Sequence, residues 1–173
     1  MAQSQKTPPK SNSDSAAQSE SDKQADASAA YEVYLSSAAA SAYEAFYKRA
    51  ADAKERHEIT SSHFTALHMI DEALGKIIPR DPFNKTYALQ GTLSGIFRLQ
   101  KGRLRICWMG NSQLRRVCVI FISETLRKAG DVNDPYRILT SMLMSGEFSQ
   151  VFEELGLKSH VQAHLKRQKS LPN

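Results

Sequence analysis

The chain has 173 residues, 41% of them hydrophobic and 24% charged, with a formal net charge of +5. A typical domain of ~100–150 residues makes one domain plus a tail the expected organisation. No stretch approaches the ~18 apolar residues of a membrane helix, no apolar run follows a basic start, and two cysteines cannot build a disulfide framework. With no internal repeat either, membrane, secreted cystine-rich and repeat-array classes are excluded, and a reducing cytoplasm is the expected compartment.

Residues 1–30 contain no Val, Ile, Leu, Phe, Tyr or Trp. Such a segment has nothing to bury against the entropy of ordering, so it reads as a disordered leader, solvated or partner-binding. It holds Lys6, Lys10 and Lys23 against Asp14, Glu20, Asp22 and Asp26, so the excess positive charge belongs to the remaining residues.

Order is expected from Tyr31. Tyr31, Tyr34, Leu35, Ala38, Ala42 and Phe46 share a stripe at helical spacing, which predicts a helix to about Arg56. A second helix starts at Ser61 or Ser62 as N-cap, carries Phe64, Leu67, Ile70, Leu74 and Ile77 inward, and stops at Pro79. Residues 79–86 read as a loop. The pattern then alternates over 96–100, 103–109 and 114–122, with Lys101-Gly102 and Gly110-Asn111 as two tight hairpin turns. Asp134-Pro135 starts a third helix, with Tyr136, Leu139 and Leu143 inward and Gly146 as its stop. Phe148, Val151, Phe152 and Leu155 mark a short fourth, closed by Gly156. Residues 158–173 hold four basic residues and no acid, a fraying basic tail. The fold class is therefore α+β: two N-terminal helices, a small antiparallel β-meander and two short C-terminal helices, with the helices on one face of the sheet.

Residues 96–128 carry Arg98, Lys101, Arg103, Arg105, Arg115, Arg116, Arg127 and Lys128 against a single acid, Glu124. With the two turns as placed, Arg98 pairs with Arg105 and Arg105 with Arg116. One face then holds Phe97, Leu99, Leu104, Ile106, Trp108, Val117, Val119 and Phe121, with Arg115 as a misfit; the other holds Arg98, Arg103, Arg105 and Arg116. Like charges directly opposite each other destabilise a sheet pair, and a polyanion would relieve the repulsion through the guanidinium forks. The face reads as a phosphate-binding surface. The alternative is a solvated face, or arginines paired with Glu32, Glu44 or Asp71.

Other chemistry is sparse. Cys107 and Cys118 are not opposite each other and read as strand residues rather than ligands or nucleophiles. His160 and His164 are four apart but lack a third ligand, so no metal site and no cofactor is expected. His63 and His68 sit on the second helix. Trp108 and Tyr136 read as core, or as aromatics stacking a base beside the basic face. No P-loop, GxSxG, HExxH or CxxC is present. RNA needs no metal for cleavage, because its 2′-hydroxyl can attack the adjacent phosphate once the attack is oriented and the extra charge held. Lys101, between Arg98 and Arg103, is the candidate for proton transfer.

Several stretches together carry a family likeness: PRDP at 79–82, QGTLSGIFRL at 90–99, KGRLRICW at 101–108, the long run 115–146 from RRVCVIFI to SMLMSG, and FEELGL at 152–157. Residues ~64–157 resemble the RelE/ParE superfamily of bacterial toxins, most closely its YhaV-like branch. The resemblance implies a RelE/ParE-like toxin domain over 31–157 and metal-independent endoribonuclease activity on mRNA, in some members on the ribosome. It implies a cognate antitoxin of AbrB/PrlF-like type. By position it makes Arg98, Lys101, Arg103 and Arg105 the basic catalytic strand and Arg116 a phosphate clamp; Lys101, Arg103 and Arg105 are the expected catalytic residues, and Arg98, Arg116, Arg115, Arg127 and Lys128 are expected to bind RNA. The strand before KGRLRICW lacks the His- and Trp-bearing extension of better-studied relatives, and Leu99 and Gln100 run straight into the turn. Some superfamily members cleave nothing, so a non-catalytic protein that binds nucleic acid or inhibits a protein target is the alternative.

Overall fold

The computed structural model describes residues 30–58, 60–124 and 131–157. The leader up to residue 29, Arg127, Lys128, and the tail 158–173 with His160 and His164 lie outside the described residues.

At the position where a helix is expected, the described residues form a strand, β1 (Glu32–Leu35); helix α1 follows at Ser37–Glu55. Val33 and Tyr34 suit a strand as well as a helical stripe, and pairing decides between them. β1 runs parallel to β4 (Arg116–Ser123), with Glu32 beside Arg116 and Leu35 beside Val119. Ser36 makes the switch to helix. Its hydroxyl oxygen accepts the Ala39 amide at 3.2 Å as N-cap of α1, and its O–H donates to the Ile120 carbonyl at 3.3 Å.

Helix α2 (Ser62–Glu72) continues past the expected stop. It widens into a π-helical turn at Ala73–Ile77 and closes with an α turn at Ile78–Arg80. The wide turn places Pro79 at the start of a fresh helical turn, where its missing N–H is not needed.

β2 (Phe97–Lys101), β3 (Leu104–Asn111) and β4 form the expected meander, and the sheet order is β1-β4-β3-β2. The sheet is thus mixed, with one parallel pair. Both hairpin registers differ from expectation. The first turn is Gly102-Arg103, with Lys101 opposite Leu104 and Arg98 opposite Cys107; Gly102 takes φ +58°, which suits the first central position of a type II′ turn. The second connection spans Ser112–Arg115, with Asn111 opposite Arg116. There the Asn111 side-chain oxygen accepts the Gln113 and Leu114 amides, opening a longer turn.

A bulge between Cys107 and Trp108 leaves Ile120 as the extra residue of β4. It sends Phe121 to the face opposite the expected one and Ile122 into its place. The sheet is consequently buried on both faces. Helices α1 and α2 cover Leu104, Ile106, Trp108, Val117, Val119 and Ile122. Helices α3 (Pro135–Ser145) and α4 (Ser149–Glu154) cover Cys107, Met109, Cys118, Ile120 and Phe121 with Leu139, Phe148 and Leu155. The face expected to be an arginine surface is mostly a second core. Helix α3 has the expected ends, with Asp134 as N-cap, Pro135 first, and Gly146 at φ +81°.

Trp108 is wholly buried, and its indole N–H donates to the Pro82 carbonyl at 2.9 Å. Trp108→Phe strands that carbonyl and removes part of a fully buried ring system, and is expected to cost at least about 1–3 kcal/mol. Gly110 has no room for a side chain, since a Cβ there would lie 2.9 Å from both the Arg116 carbonyl and the Phe83 ring. Gly110→Ala is expected to cost about 1–3 kcal/mol as overpacking. Urea unfolding followed by circular dichroism checks both; changes within about 0.5 kcal/mol contradict the packing described.

Burial pushes the Cys107 and Cys118 thiols up to about 12. The fold keeps them neutral, so their contribution is intact below the ordinary value of 9.0 and is lost as pH rises from there toward 12. Thiol-specific reagents are expected to leave both cysteines untouched in the native chain at neutral pH and to modify both in urea. Native-state labelling at the rate of a free thiol contradicts this burial.

Candidate active site at one end of the sheet

The second core stops short of the β2–β3 turn, and charged residues of the same face collect there. Arg98 on β2 and Arg105 on β3 point to the α3 side, diagonally across the strand pair. Such diagonal neighbours lie ~7–8 Å apart, within reach of long side chains. Between them sits Tyr136, held in the first turn of α3. The Asp134 carboxylate accepts the Tyr136 amide at 2.9 Å and the Arg137 amide at 3.4 Å, and Pro135 fixes the entry of the helix.

The two guanidinium groups share that ring. Arg98 donates from Nη1 to the Tyr136 hydroxyl, and its guanidinium carbon lies 5.8 Å from the ring centre. The Arg105 guanidinium carbon lies 5.9 Å from the same centre, and its Nη1 donates to the Arg103 carbonyl at 2.8 Å. Cation–π attraction anchors both cations to the one ring. Arg105 is only 4% exposed. Arg98 is half-buried; its Nε is buried with no hydrogen-bond partner, and no carboxylate among the described residues pairs with it. Buried donors of this kind are ordinarily satisfied, so an open one beside a positive pair is a place where an anion fits.

The other expected site residues go elsewhere. Lys101 points to the opposite face, toward α2, where its Nζ lies 3.1 Å from a Glu72 carboxylate oxygen. That hydrogen bond holds the Glu72 carboxyl below the usual carboxylate range. Arg103 is exposed at the turn and lines a pocket on the α1 side. Arg116 is ion-paired to Glu32 at 2.9 Å. Arg115 takes φ +51° and lays its guanidinium 4.6 Å from the centre of the Tyr31 ring.

Arg105 is opposite Ser123, seven residues along β4 from Arg116. At ~3.3 Å per residue the two arginines are separated by roughly 23 Å. The expected row across three strands is therefore two clusters at opposite ends of the sheet. The longer second turn and the bulge at Ile120 account for the difference. Tyr136 was read as core or as a stacking aromatic. The Asp-Pro-Tyr signature places it in a first helical turn, but nothing in the periodicity says which strand end that turn covers.

Among the described residues, no group of three or more His, Cys, Asp and Glu side chains is placed to hold a metal ion, and no helix is long and apolar enough to cross a membrane.

No curated protein matches the chain. Among solved structures, the RelBE2 toxin–antitoxin complex of Mycobacterium tuberculosis is similar at 16% identity and a TM-score of 0.40, over 56% of this chain and 92% of that one. The family model of the YhaV toxins, described as toxins with endonuclease activity of a toxin–antitoxin system, matches residues 23–160. That span takes in the whole sheet, its four helices and both arginine clusters, and the chain accordingly belongs to the YhaV family of endonuclease toxins.

Proposed function

We propose that the endonuclease activity is directed at RNA, with mRNA as the substrate, and that Arg98, Arg105 and Tyr136 form its centre. The observation that carries this reading is the convergence of two guanidinium groups on one tyrosine, with a buried Arg98 donor left open.

Such a site does what RNA self-cleavage needs. The 2′-hydroxyl attacks the adjacent phosphorus, the P–O5′ bond breaks, and a 2′,3′-cyclic phosphate and a 5′-hydroxyl result. The phosphorane formed on the way carries extra negative charge, and two preorganised arginines, Arg98 half-buried and Arg105 buried, stabilise that charge. The proton of the 2′-hydroxyl passes to solvent. The Tyr136 hydroxyl accepts from Arg98, donates its proton to the departing 5′-oxygen and takes a proton back from solvent. Lys101, expected to transfer protons, is engaged with Glu72 on the other face, and that role passes to Tyr136. Arg103 steers neighbouring phosphates from the turn. Arg115 and Arg116, at the other end of β4, are too distant to touch the same phosphate.

The resemblance read from the sequence further implies a cytoplasmic toxin, cleavage of mRNA with or without the ribosome, and neutralisation by an AbrB/PrlF-like antitoxin. Two free cysteines accord with a reducing compartment.

Induced expression followed by mapping of RNA ends tests the centre. Arg98→Ala and Arg105→Lys are expected to lower cleavage by about 10²–10³, and Tyr136→Phe to lower it while leaving the chain folded. Arg116→Ala, at the far end, is expected to cost far less. Wild-type ends bearing 3′-hydroxyls, or an Arg98→Ala variant that cuts as wild type does, would overturn the assignment.

A further inference from the structure

At the same end of the sheet, on its α1 side, lies an open pocket of about 910 Å³. Six of its side chains matter here: Phe46, Arg49 and Asp52 from α1, His63 from α2, Arg103 from the first hairpin turn, and Glu124 just past β4. It lies on the other face of the sheet from the arginine pair, at the same end. Arg103 lines it while its carbonyl accepts from Arg105, and Ser123, the strand partner of Arg105, is part of its wall.

The chemistry of the lining is that of a base pocket. The Arg49 guanidinium is held 4.3 Å from the centre of the buried Phe46 ring, a planar cation on which a nucleobase stacks. Glu124 is tied to Arg49 only loosely, at 3.8 Å, with both side chains partly exposed. No hydrogen bond from the described residues engages the Asp52 carboxylate, and the His63 Nδ1 is buried without a partner. Two carboxylates beside a stacking platform select among bases. Guanine presents N1–H and N2–H side by side, two donors that match one carboxylate. Adenine and cytosine set a donor next to an acceptor that repels it, and uracil flanks its single N–H with two carbonyls. Arg103 supplies the fork that suits guanine O6 and N7.

We infer that this pocket receives the guanine of a nucleotide adjoining the phosphate held by Arg98 and Arg105. The inference rests on the ribonuclease reading for the word "adjoining" alone; base selection stands apart from it.

Two measurements separate the two. Calorimetric titration of the full chain with guanosine and adenosine 3′-monophosphates is expected to show the guanosine nucleotide binding about tenfold tighter, with Asp52→Asn or Glu124→Gln abolishing the difference. Equal binding of the two nucleotides, or a difference that neither variant moves, overturns the pocket assignment. Mapped RNA ends are then expected to carry guanine at one fixed position beside the cut, an enrichment over adenine that falls roughly tenfold in the same variants. Intact cleavage with no guanine at any fixed position overturns the adjoining placement. If no RNA is cut, the ribonuclease reading fails and the adjoining placement with it, while the titration alone decides the pocket.

Discussion

A sheet covered on both faces has nowhere to keep cations except its ends. Helices α1 and α2 seal one side of β3 and β4, and α3 and α4 seal the other. A charged side chain in the middle of either face would have to be desolvated against apolar neighbours, at a cost of several kcal/mol. The basic residues of the meander are therefore confined to the two rims. At one rim Arg116 is neutralised by Glu32 of β1 and Arg115 is stacked on Tyr31, the residue before that strand. At the other, Arg98 and Arg105 are drawn together over Tyr136.

The two rims differ in burial and in pairing. Arg116 has a carboxylate partner in solvent, an arrangement of little energetic consequence. Arg98 and Arg105 are more deeply placed, share an aromatic ring, and leave the buried Arg98 Nε open. Two guanidinium groups anchored to one ring are held in place before any anion arrives, the preorganisation that a charge-stabilising site requires. The first helical turn of α3 sets the geometry, because Asp134 and Pro135 fix where the Tyr136 ring lies. A helical turn 38 residues along the chain from Arg98 thus supplies the ring on which the strand arginines rest.

Much of this was legible in the residues. The alternation of 96–122, the Asp-Pro start and Gly stop of α3, and the family-like motifs each rest on local rules, and they gave the α+β class and the placement of Arg98 and Arg105 on one face. What was not legible depended on distant partners. Tyr31–Leu35 satisfies a helical stripe and a strand equally, and only the exposed edge of β4 selects the strand. The register of both hairpins turned on a single residue each: Gly102, whose positive φ puts it first in its turn, and Asn111, whose side chain caps a longer one. The extra residue at Ile120 reversed the faces of Phe121 and Ile122, and no alternation pattern foretells a bulge. Lys101 was read from its charged neighbours in sequence, whereas its fate is set by Glu72, 29 residues earlier and adjacent only in the fold.

The central claim is that one phosphate is gripped by both arginines at the Tyr136 rim. A crystal structure of the full chain with an RNA made uncleavable by 2′-O-methylation at the cut site tests it most directly. The account predicts the blocked phosphate within ~2.7–3.2 Å of guanidinium nitrogens from both Arg98 and Arg105. A blocked phosphate seated instead on Arg115 and Arg116, at the far rim, would contradict it.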